Sequence, residues 1–245
     1  MPFDVRDLVG RYVKHGWGGR RLEIHVYSVD ENGVAIGLNS KPTIPYVVVW
    51  RKTIGLVRPS ARELEEFYRA HYRELKRIAI DVVEGRWANL PPIYWEIGYA
   101  LEANVDGVND WSGIQDEHLK LCARIVGSVA AEAKKLLRDR LKRLAGLVNT
   151  VEPKTVNEYL VLGNELRKTL KELLALSYIV NSLTNSLTVS DIVLRNCRGC
   201  TESFVKAVEE YIVRSGGRQG FRRNTLREVL RQILSSISVS CVTPT

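Results

Sequence analysis

The sequence predicts an α+β fold that is predominantly α-helical: a small N-terminal antiparallel β-sheet followed by a bundle of long and short helices. Three observations support this class. Apolar and polar side chains alternate over residues 21–29, apolar residues recur every three or four positions after residue 60, and helix-start signals accompany the second pattern. We therefore predict a β-containing head over residues 1–59 and a helical body over residues 60–245, which form either two domains or one continuous domain.

The predicted head contains a short helix and about three antiparallel strands. DVRDLVGRYVKH (4–15) places its apolar side chains on one helical face. RLEIHVYSV (21–29) has the period of two that is typical of a half-buried strand, and DENG (30–33) is a hairpin turn. VAIGL (34–38) then predicts the second strand and PYVVVWRKTIGLV (45–57) the third.

The predicted helices of the body are marked by their ends. SARE (60–63) is a capping box that starts a helix, and Gly85 ends it. SGIQ (112–115) is a second capping box, from which a long helix is predicted to run to about residue 148. A further helix starts at Thr155, with Glu158 three residues later. Shorter helices are predicted at about 190–196, 202–214 and 225–238, the last with Asn224 as its N-cap.

The positive charge of the chain is concentrated in two windows. The 245 residues carry a net charge of +8. Residues 134–143 hold six basic side chains against the single acid Asp139, and residues 214–231 hold six arginines against the single acid Glu228. A solvated helix face explains either window taken alone, whereas the two together favour a polyanionic partner.

These windows supply the predicted nucleic-acid-binding residues. Arginine's planar fork fits phosphate oxygens, and phosphate contacts require no particular base sequence. We interpret Gly216 and Gly217 as the end of one helix, followed by a mobile basic loop. Two arginines of a glycine-rich turn near the N-terminus are expected to contribute less. The candidates are Arg20, Arg21, Lys134, Lys135, Arg138, Lys142, Arg143, Arg214, Arg218, Arg222, Arg223, Arg227 and Arg231.

Four cysteines are too few for a secreted disulfide scaffold. Cys197 and Cys200 form a CxxC motif between two predicted helices, and three interpretations stay open: reduced structural cysteines, a disulfide, or a zinc site. A disulfide would lie within the motif or join it to Cys241. A zinc site would need further ligands, and no second CxxC or HxxxH supplies them. We predict no bound metal and no cofactor, and we name Cys197 and Cys200 as the disulfide candidates.

No catalytic residue is predicted, because no Ser/His/Asp, HExxH or paired-carboxylate arrangement appears in the spacing. The leading hypothesis is a non-catalytic, sequence-nonspecific nucleic-acid-binding protein that acts on DNA or RNA through charge neutralisation. The first alternative is a self-assembling coat or nucleocapsid-type subunit, a homo-oligomer, which the long apolar helices and the aromatic stretch 86–102 favour. The second alternative is a nucleic-acid-processing enzyme, such as a metal-dependent nuclease, whose acids come from distant segments.

The expected location is the cytoplasm, or a virion or other nucleoprotein assembly. No run of 18 apolar residues is present, so no membrane span is predicted. The N-terminus does not resemble a secretory signal. A single Met and three Gln favour a heat-adapted source, whereas twelve Asn argue against one.

Overall fold

The structure is a computed structural model. It describes the backbone and side chains of residues 65–66, 68–106, 115–198, 201–219, 221 and 223–237, and the backbone alone of residues 12–17, 20–30, 33–38, 46–51, 53–57, 61–64 and 67. The chain divides into two compact units, one formed by Met1–Tyr72 with Pro153–Leu160 and the other by Arg73–Glu152 with Val161–Thr245. The predicted boundary between residues 59 and 60 stays a prediction.

The core that the structure describes is built from helices alone. Of the residues described with their side chains, 86% are helical and none lies in a strand or sheet. A fold class is defined by the elements that bury side chains against one another. The predicted α+β class, with an N-terminal sheet, is therefore wrong, and the part of the chain described with its side chains is all-α.

Near the N-terminus, the backbone is extended in five consecutive segments that pair antiparallel: β1 Tyr12–Trp17, β2 Arg20–Asp30, β3 Gly33–Leu38, β4 Tyr46–Arg51 and β5 Thr53–Val57. Most of the helix predicted over residues 4–15 lies outside the described residues. Its last four positions belong to β1, so a helix does not continue through them.

The helices are α1 Ala61–Val83, α2 Trp95–Glu102, α3 Glu117–Val148, α4 Val156–Thr184, α5 Ser186–Asn196, α6 Thr201–Arg218 and α7 Arg223–Ser236. Two short 3-10 turns, Trp87–Asn89 and Pro92–Tyr94, precede α2. Among the residues that the structure describes, no helix combines the length and the apolar character that crossing a lipid bilayer requires.

Two helix boundaries that the sequence predicted are confirmed. Gly85 follows α1 with φ of +68°, and the amide of Arg86 donates to the carbonyl of Asp81 at 2.8 Å. A left-handed residue at this position favours glycine, which has no Cβ to clash. At the start of α4, the Glu158 amide donates to Thr155 Oγ1 and the Thr155 amide donates to Glu158 Oε2, both at 3.3 Å. This pair forms a capping box at the predicted helix start.

The start of α3 differs from the prediction. The helix begins at Glu117, and its N-cap is Asp116, whose carboxylate accepts from the amides of His118 at 2.8 Å and Leu119 at 3.1 Å. A carboxylate here satisfies two amides that have no helical partner, and its charge complements the positive end of the helix dipole. The box predicted at residues 112–115 therefore does not cap this helix.

The later helices are longer than predicted or begin earlier. α5 begins at Ser186, because Asn185 accepts from the Leu187 amide at 3.1 Å and caps it. α6 extends to Arg218 instead of ending near residue 214. α7 begins at Arg223, so Asn224 lies inside the helix and is not its N-cap.

α3 is the helix on which several others pack. It contacts α2, α5, α6 and α7, and its 32 residues extend about 48 Å at 1.5 Å per residue. One stripe of α3 is fully buried along most of this length, at Cys122, Val126, Val129, Ala133, Leu137 and Leu144. The stripe has the three- and four-residue spacing of an apolar helix face.

The described part of the first unit has a small aromatic contact of its own. The rings of Tyr72 and Tyr159 meet edge to face, with centroids 5.6 Å apart. The guanidinium of Arg69 lies 5.7 Å from the centroid of the Tyr159 ring and also pairs with Glu65 at 2.6 Å. This contact joins α1 to the first turns of α4.

Candidate nucleic-acid interface

Gly216 and Gly217 lie inside α6 and do not end it, contrary to the prediction. A Cβ on Gly216 would stand 2.5 Å from Leu226 Cδ1 of α7 and 2.8 Å from Tyr178 Cε1 of α4. Glycine is therefore required here because three helices approach one another closely, and not because the chain turns.

The connection between α6 and α7 is anchored. The amides of Gln219 and Phe221 donate to the carbonyl of Gly216, at 3.1 and 3.0 Å. The ring of Phe221 packs on Tyr178, with centroids 4.7 Å apart. Burial raises the pKa of Tyr178, against the smaller opposing effect of hydrogen bonds with Ser182 and Ser215. In its described residues, this connection is a packed turn and not the predicted mobile loop.

The packed turn brings five of the predicted arginines onto one helical pair. Two lie in the last turns of α6, and three lie on α7 at positions i, i+4 and i+8. Four residues of an α-helix cover one full turn and about 40° more. The three arginines on α7 therefore lie along one side of that helix. The adjoining face of α7 is buried through Leu226, Leu230 and Ile233. We call the exposed set the arginine strip: Arg214, Arg218, Arg223, Arg227 and Arg231.

The arginine strip differs from the other basic window in its partners. Within the described part of the chain, none of its five arginines forms an ion pair with a carboxylate. On α3, by contrast, Arg140 pairs with Glu172 at 2.6 Å, and Arg143 pairs with Glu165. A cation that already has a carboxylate partner must give up that pair to bind phosphate, so the strip presents the more available charge.

Close packing also positions the first arginine of α7. A Cβ on Gly217 would lie 2.7 Å from Nε and 3.2 Å from Cγ of Arg223. The side chain of Arg223 therefore lies directly against the backbone of α6. The second glycine of the pair leaves room for an arginine at the junction of the two helices.

The basic window of α3 divides into two flanks. Arg140 contacts Glu172 of α4 and donates to Gln232 of α7 at 3.1 Å, and Arg143 lies on the same side. Arg138 and Lys142 are each two residues from Arg140. Both side chains therefore lie about 160° around the helix axis from that of Arg140. Lys134 and Lys135 lie on the same flank as these two, so four of the five candidates in this window share one side of α3 and Arg143 lies on the other.

Arg138 faces a shallow depression of about 460 Å³. Lys134 and Lys135 also line it, together with two acids, Glu102 at the end of α2 and Asp106 after it. Lys134 Nζ donates to the carbonyl of Ala103 at 2.5 Å. Lys135 pairs with Glu132 at 3.2 Å. Nearby acids thus offset the positive charge of this depression, and two of its lysines are already engaged in contacts within the protein.

An aromatic groove adjoins this depression and shares Glu102 with it. The groove has a volume of about 310 Å³ and is lined by Trp87, Trp95 and Tyr99, of which Tyr99 is 57% exposed. Trp95 Nε1 donates to the carbonyl of Trp87 at 2.7 Å. Sequence reasoning missed this neighbourhood, because the aromatic residues and the α3 cations are more than thirty positions apart and no pattern links them.

The side chains of three predicted candidates lie outside what the structure describes. Arg222 lies outside the described residues, and Arg20 and Arg21 begin β2, for which the backbone alone is described.

Cys197 pairs with Cys122 in a disulfide whose Cα atoms are 6.1 Å apart. A cysteine forms one disulfide, so the predicted pairing of Cys197 with Cys200, and its alternative with Cys241, is corrected. Cys200 and Cys241 lie outside the described residues. The packing of α3 on α5 joins two positions 75 residues apart, a pairing that the CxxC spacing gives no means to find.

Among the described residues, one group of three His, Cys, Asp or Glu donors is compact enough to hold a metal ion: His118, Cys122 and Cys197. No carboxylate belongs to that group. No family model, curated protein or solved structure matches the chain.

Proposed function

We propose that this protein binds DNA or RNA without sequence preference and without catalysis, through the arginine strip. The observation that supports the proposal is the set of five exposed arginines on a packed helical pair, none paired with a described carboxylate. Guanidinium groups bind phosphate oxygens in a fixed geometry, and a helical pair holds them at a constant spacing. The α3 flank with Arg138 and Lys142 would contribute a weaker second contact.

The mechanism is neutralisation of phosphates with release of the counterions condensed on them. For duplex DNA, each neutralised phosphate adds about 0.9 to the slope of log affinity against log salt concentration. Five contacts give a slope near −4.5, which is a loss of about 500-fold in affinity between 50 and 200 mM salt. The proposed location is the cytoplasm or a nucleoprotein assembly formed there.

The experiment titrates the full chain against labelled duplex DNA, single-stranded DNA and single-stranded RNA, each at 50 and 200 mM salt with magnesium present. The test variant replaces the five strip arginines by glutamine, which removes the charge and keeps a helix-compatible side chain. We expect weak binding at 50 mM salt and a slope smaller by about 4–5. Oligonucleotides that remain intact would argue against the nuclease alternative.

The matched control removes five charges from cations on other elements: Lys120, Arg124, Lys154, Lys168 and Arg195. If net charge alone governs binding, this control loses as much affinity as the strip variant. We expect it to keep most of the wild-type affinity and slope. Equal losses in the two variants, or wild-type binding by the strip variant, would show that the strip is not the binding surface.

Self-assembly into a coat or nucleocapsid-type oligomer is the second candidate function, and one observation on α5 favours it. Leu187 and Leu194 are 81% and 59% exposed and lie seven residues apart, on the same side of the helix. Two exposed leucines on one side of a helix offer apolar contacts to a partner. Light scattering on nucleic-acid-free protein tests it: a monomer that stays monomeric at high concentration would exclude assembly without nucleic acid.

A further inference from the structure

Three metal-binding side chains converge between α3 and α5. His118 lies in the first turn of α3, Cys122 follows one turn later, and Cys197 caps the C-terminus of α5. One ring nitrogen of the histidine and the two sulfur atoms all lie within 4.8 Å of one another. Cys122 is fully buried and Cys197 is 7% exposed, whereas His118 is half-buried, so the group is closed on the cysteine side.

Local structure holds each donor in place. His118 and Cys122 are four residues apart, which puts both on one side of α3. The Asp116 cap fixes the first turn of α3, where His118 lies. The Cys197 amide donates to the carbonyl of Val193 at 2.9 Å and closes the last turn of α5. The donors therefore come from two well-defined helix ends that pack together.

We propose that, when the disulfide is reduced, His118, Cys122 and Cys197 bind a zinc ion that links α3 to α5. Thiolates and imidazoles are preferred ligands of Zn²⁺, whereas Mg²⁺ and Ca²⁺ prefer oxygen ligands. A group of two thiolates and one imidazole therefore selects zinc. With Zn–S near 2.3 Å and Zn–N near 2.0 Å, donors in a tetrahedral site stand about 3.5–3.8 Å apart. Reduction breaks the bond between the two sulfur atoms and frees them to move apart to that spacing.

The sequence carries a further cysteine near one of these donors along the chain. Cys200 follows Cys197 by three residues, a CxxC spacing typical of zinc ligand pairs. Its position lies outside the described residues, and the proposed site is defined by the three described donors. The fourth coordination position is filled by water or by a further side chain.

The disulfide and the zinc site are two chemical states of the same cysteines. A dithiol reductant transfers two electrons and two protons to the disulfide, giving two thiols and leaving the reductant as its own disulfide. Zinc binding then displaces one proton from each thiol to solvent, and both thiolates coordinate the ion. In either state the start of α3 is joined to the end of α5, so the joint persists when the redox conditions change.

The first test uses the wild-type chain alone, reduced with a phosphine under anaerobic conditions and compared with the disulfide form. We expect the reduced protein to retain about one zinc per chain after removal of free metal, and its thermal midpoint to rise with added zinc. The disulfide form should retain none, and its midpoint should not change. Equal zinc content in the two forms, or no zinc in the reduced form, would overturn the proposal.

The second test uses His118→Ala, which keeps both cysteines. Loss of a ligand should lower zinc affinity at least tenfold. Removing only a residue that hydrogen-bonds to a ligand already lowers metal affinity about 10–100-fold. The matched control is His71→Ala, another half-buried histidine on a helix. Cobalt added to the reduced protein should show the visible spectrum of a tetrahedral thiolate site, altered in His118→Ala and unchanged in His71→Ala. Unaltered zinc affinity in His118→Ala would exclude this site.

Discussion

Replacing Gly216 by alanine tests the close approach of α6 to α4 and α7. The new Cβ would lie 2.5 Å from Leu226 Cδ1 and 2.8 Å from Tyr178 Cε1, whereas carbon atoms in ordinary contact are about 3.5–4.0 Å apart. Relief of such overlaps requires displaced helices or strained rotamers, at a cost of about 1–3 kcal/mol. Two overlaps of about 1 Å place the cost in the upper part of that range, and alanine recovers about 1 kcal/mol in helix propensity. We therefore expect the free energy of unfolding to fall by about 1–2 kcal/mol.

Thermal unfolding followed by circular dichroism measures this change, with an expected fall in midpoint of about 2–8 °C for a chain of this size. Gly146→Ala is the matched control: Gly146 is an exposed residue of α3, and a Cβ there would meet nothing within 4 Å. The control should gain about 0.5–1 kcal/mol because alanine is the better helix former. If Gly216→Ala is as stable as wild type, or gains stability as the control does, the helices do not pack closely at Gly216.

Three further changes address the disulfide and the helix caps. Reducing the disulfide between α3 and α5 in the presence of a chelator should lower the free energy of unfolding by about 4.5 kcal/mol, the chain-entropy value for a loop of about 75 residues; an unchanged urea midpoint would contradict this. Asp116→Ala removes the acceptor for two helix amides and should cost about 1 kcal/mol in urea unfolding, whereas Asp116→Asn, which still caps, should cost much less. Hydrogen bonds from the backbone amides of Lys154 and Thr155 hold the pKa of Glu158 below its ordinary value of 4.5. The unfolded chain therefore binds the proton first as the pH falls, so the stabilisation is complete above pH 4.5 and is lost as the pH drops through the folded-state pKa. The difference in thermal midpoint between wild type and Glu158→Ala should shrink over that range, and a difference that stays constant would exclude the ionised carboxylate as its source.

Helix boundaries were predictable where they depend on a few adjacent residues. Gly85 ends α1 because a left-handed position needs a residue without a Cβ, and this requirement is visible in the sequence alone. Thr155 and Glu158 start α4 because their side chains bond each other's backbone amides. The N-cap of α3 was misplaced because both 112–115 and Asp116 offer a cap, and the structure uses Asp116.

The remaining features depend on residues that are distant in the chain. Gly216 was interpreted as a helix end, but its role is set by Tyr178, which lies 38 positions earlier. The partner of Cys197 is 75 positions away. The α+β class failed because the side chains that the structure describes pack between helices alone.

The charge count located the basic residues of the candidate interface but could not rank them. Arg143 and Arg227 look alike in the sequence, since each lies in a window of six basic residues against one acid. The structure pairs Arg143 with Glu165 of α4 and gives Arg227 no described acid partner. The difference arises from helix packing, which brings a carboxylate 22 positions away next to one arginine and not next to the other.

The length of α3 has a consequence for how the helical unit opens. Because α2, α5, α6 and α7 all pack on this one helix, none can keep its buried face once α3 unfolds. The amides at its centre, around Val129 and Ala133, therefore exchange with solvent deuterium only when the whole unit opens. α6 also packs on α5 and, at Gly216, on Tyr178 of α4, so the helical pair with the arginine strip separates from the unit only when these contacts break as well.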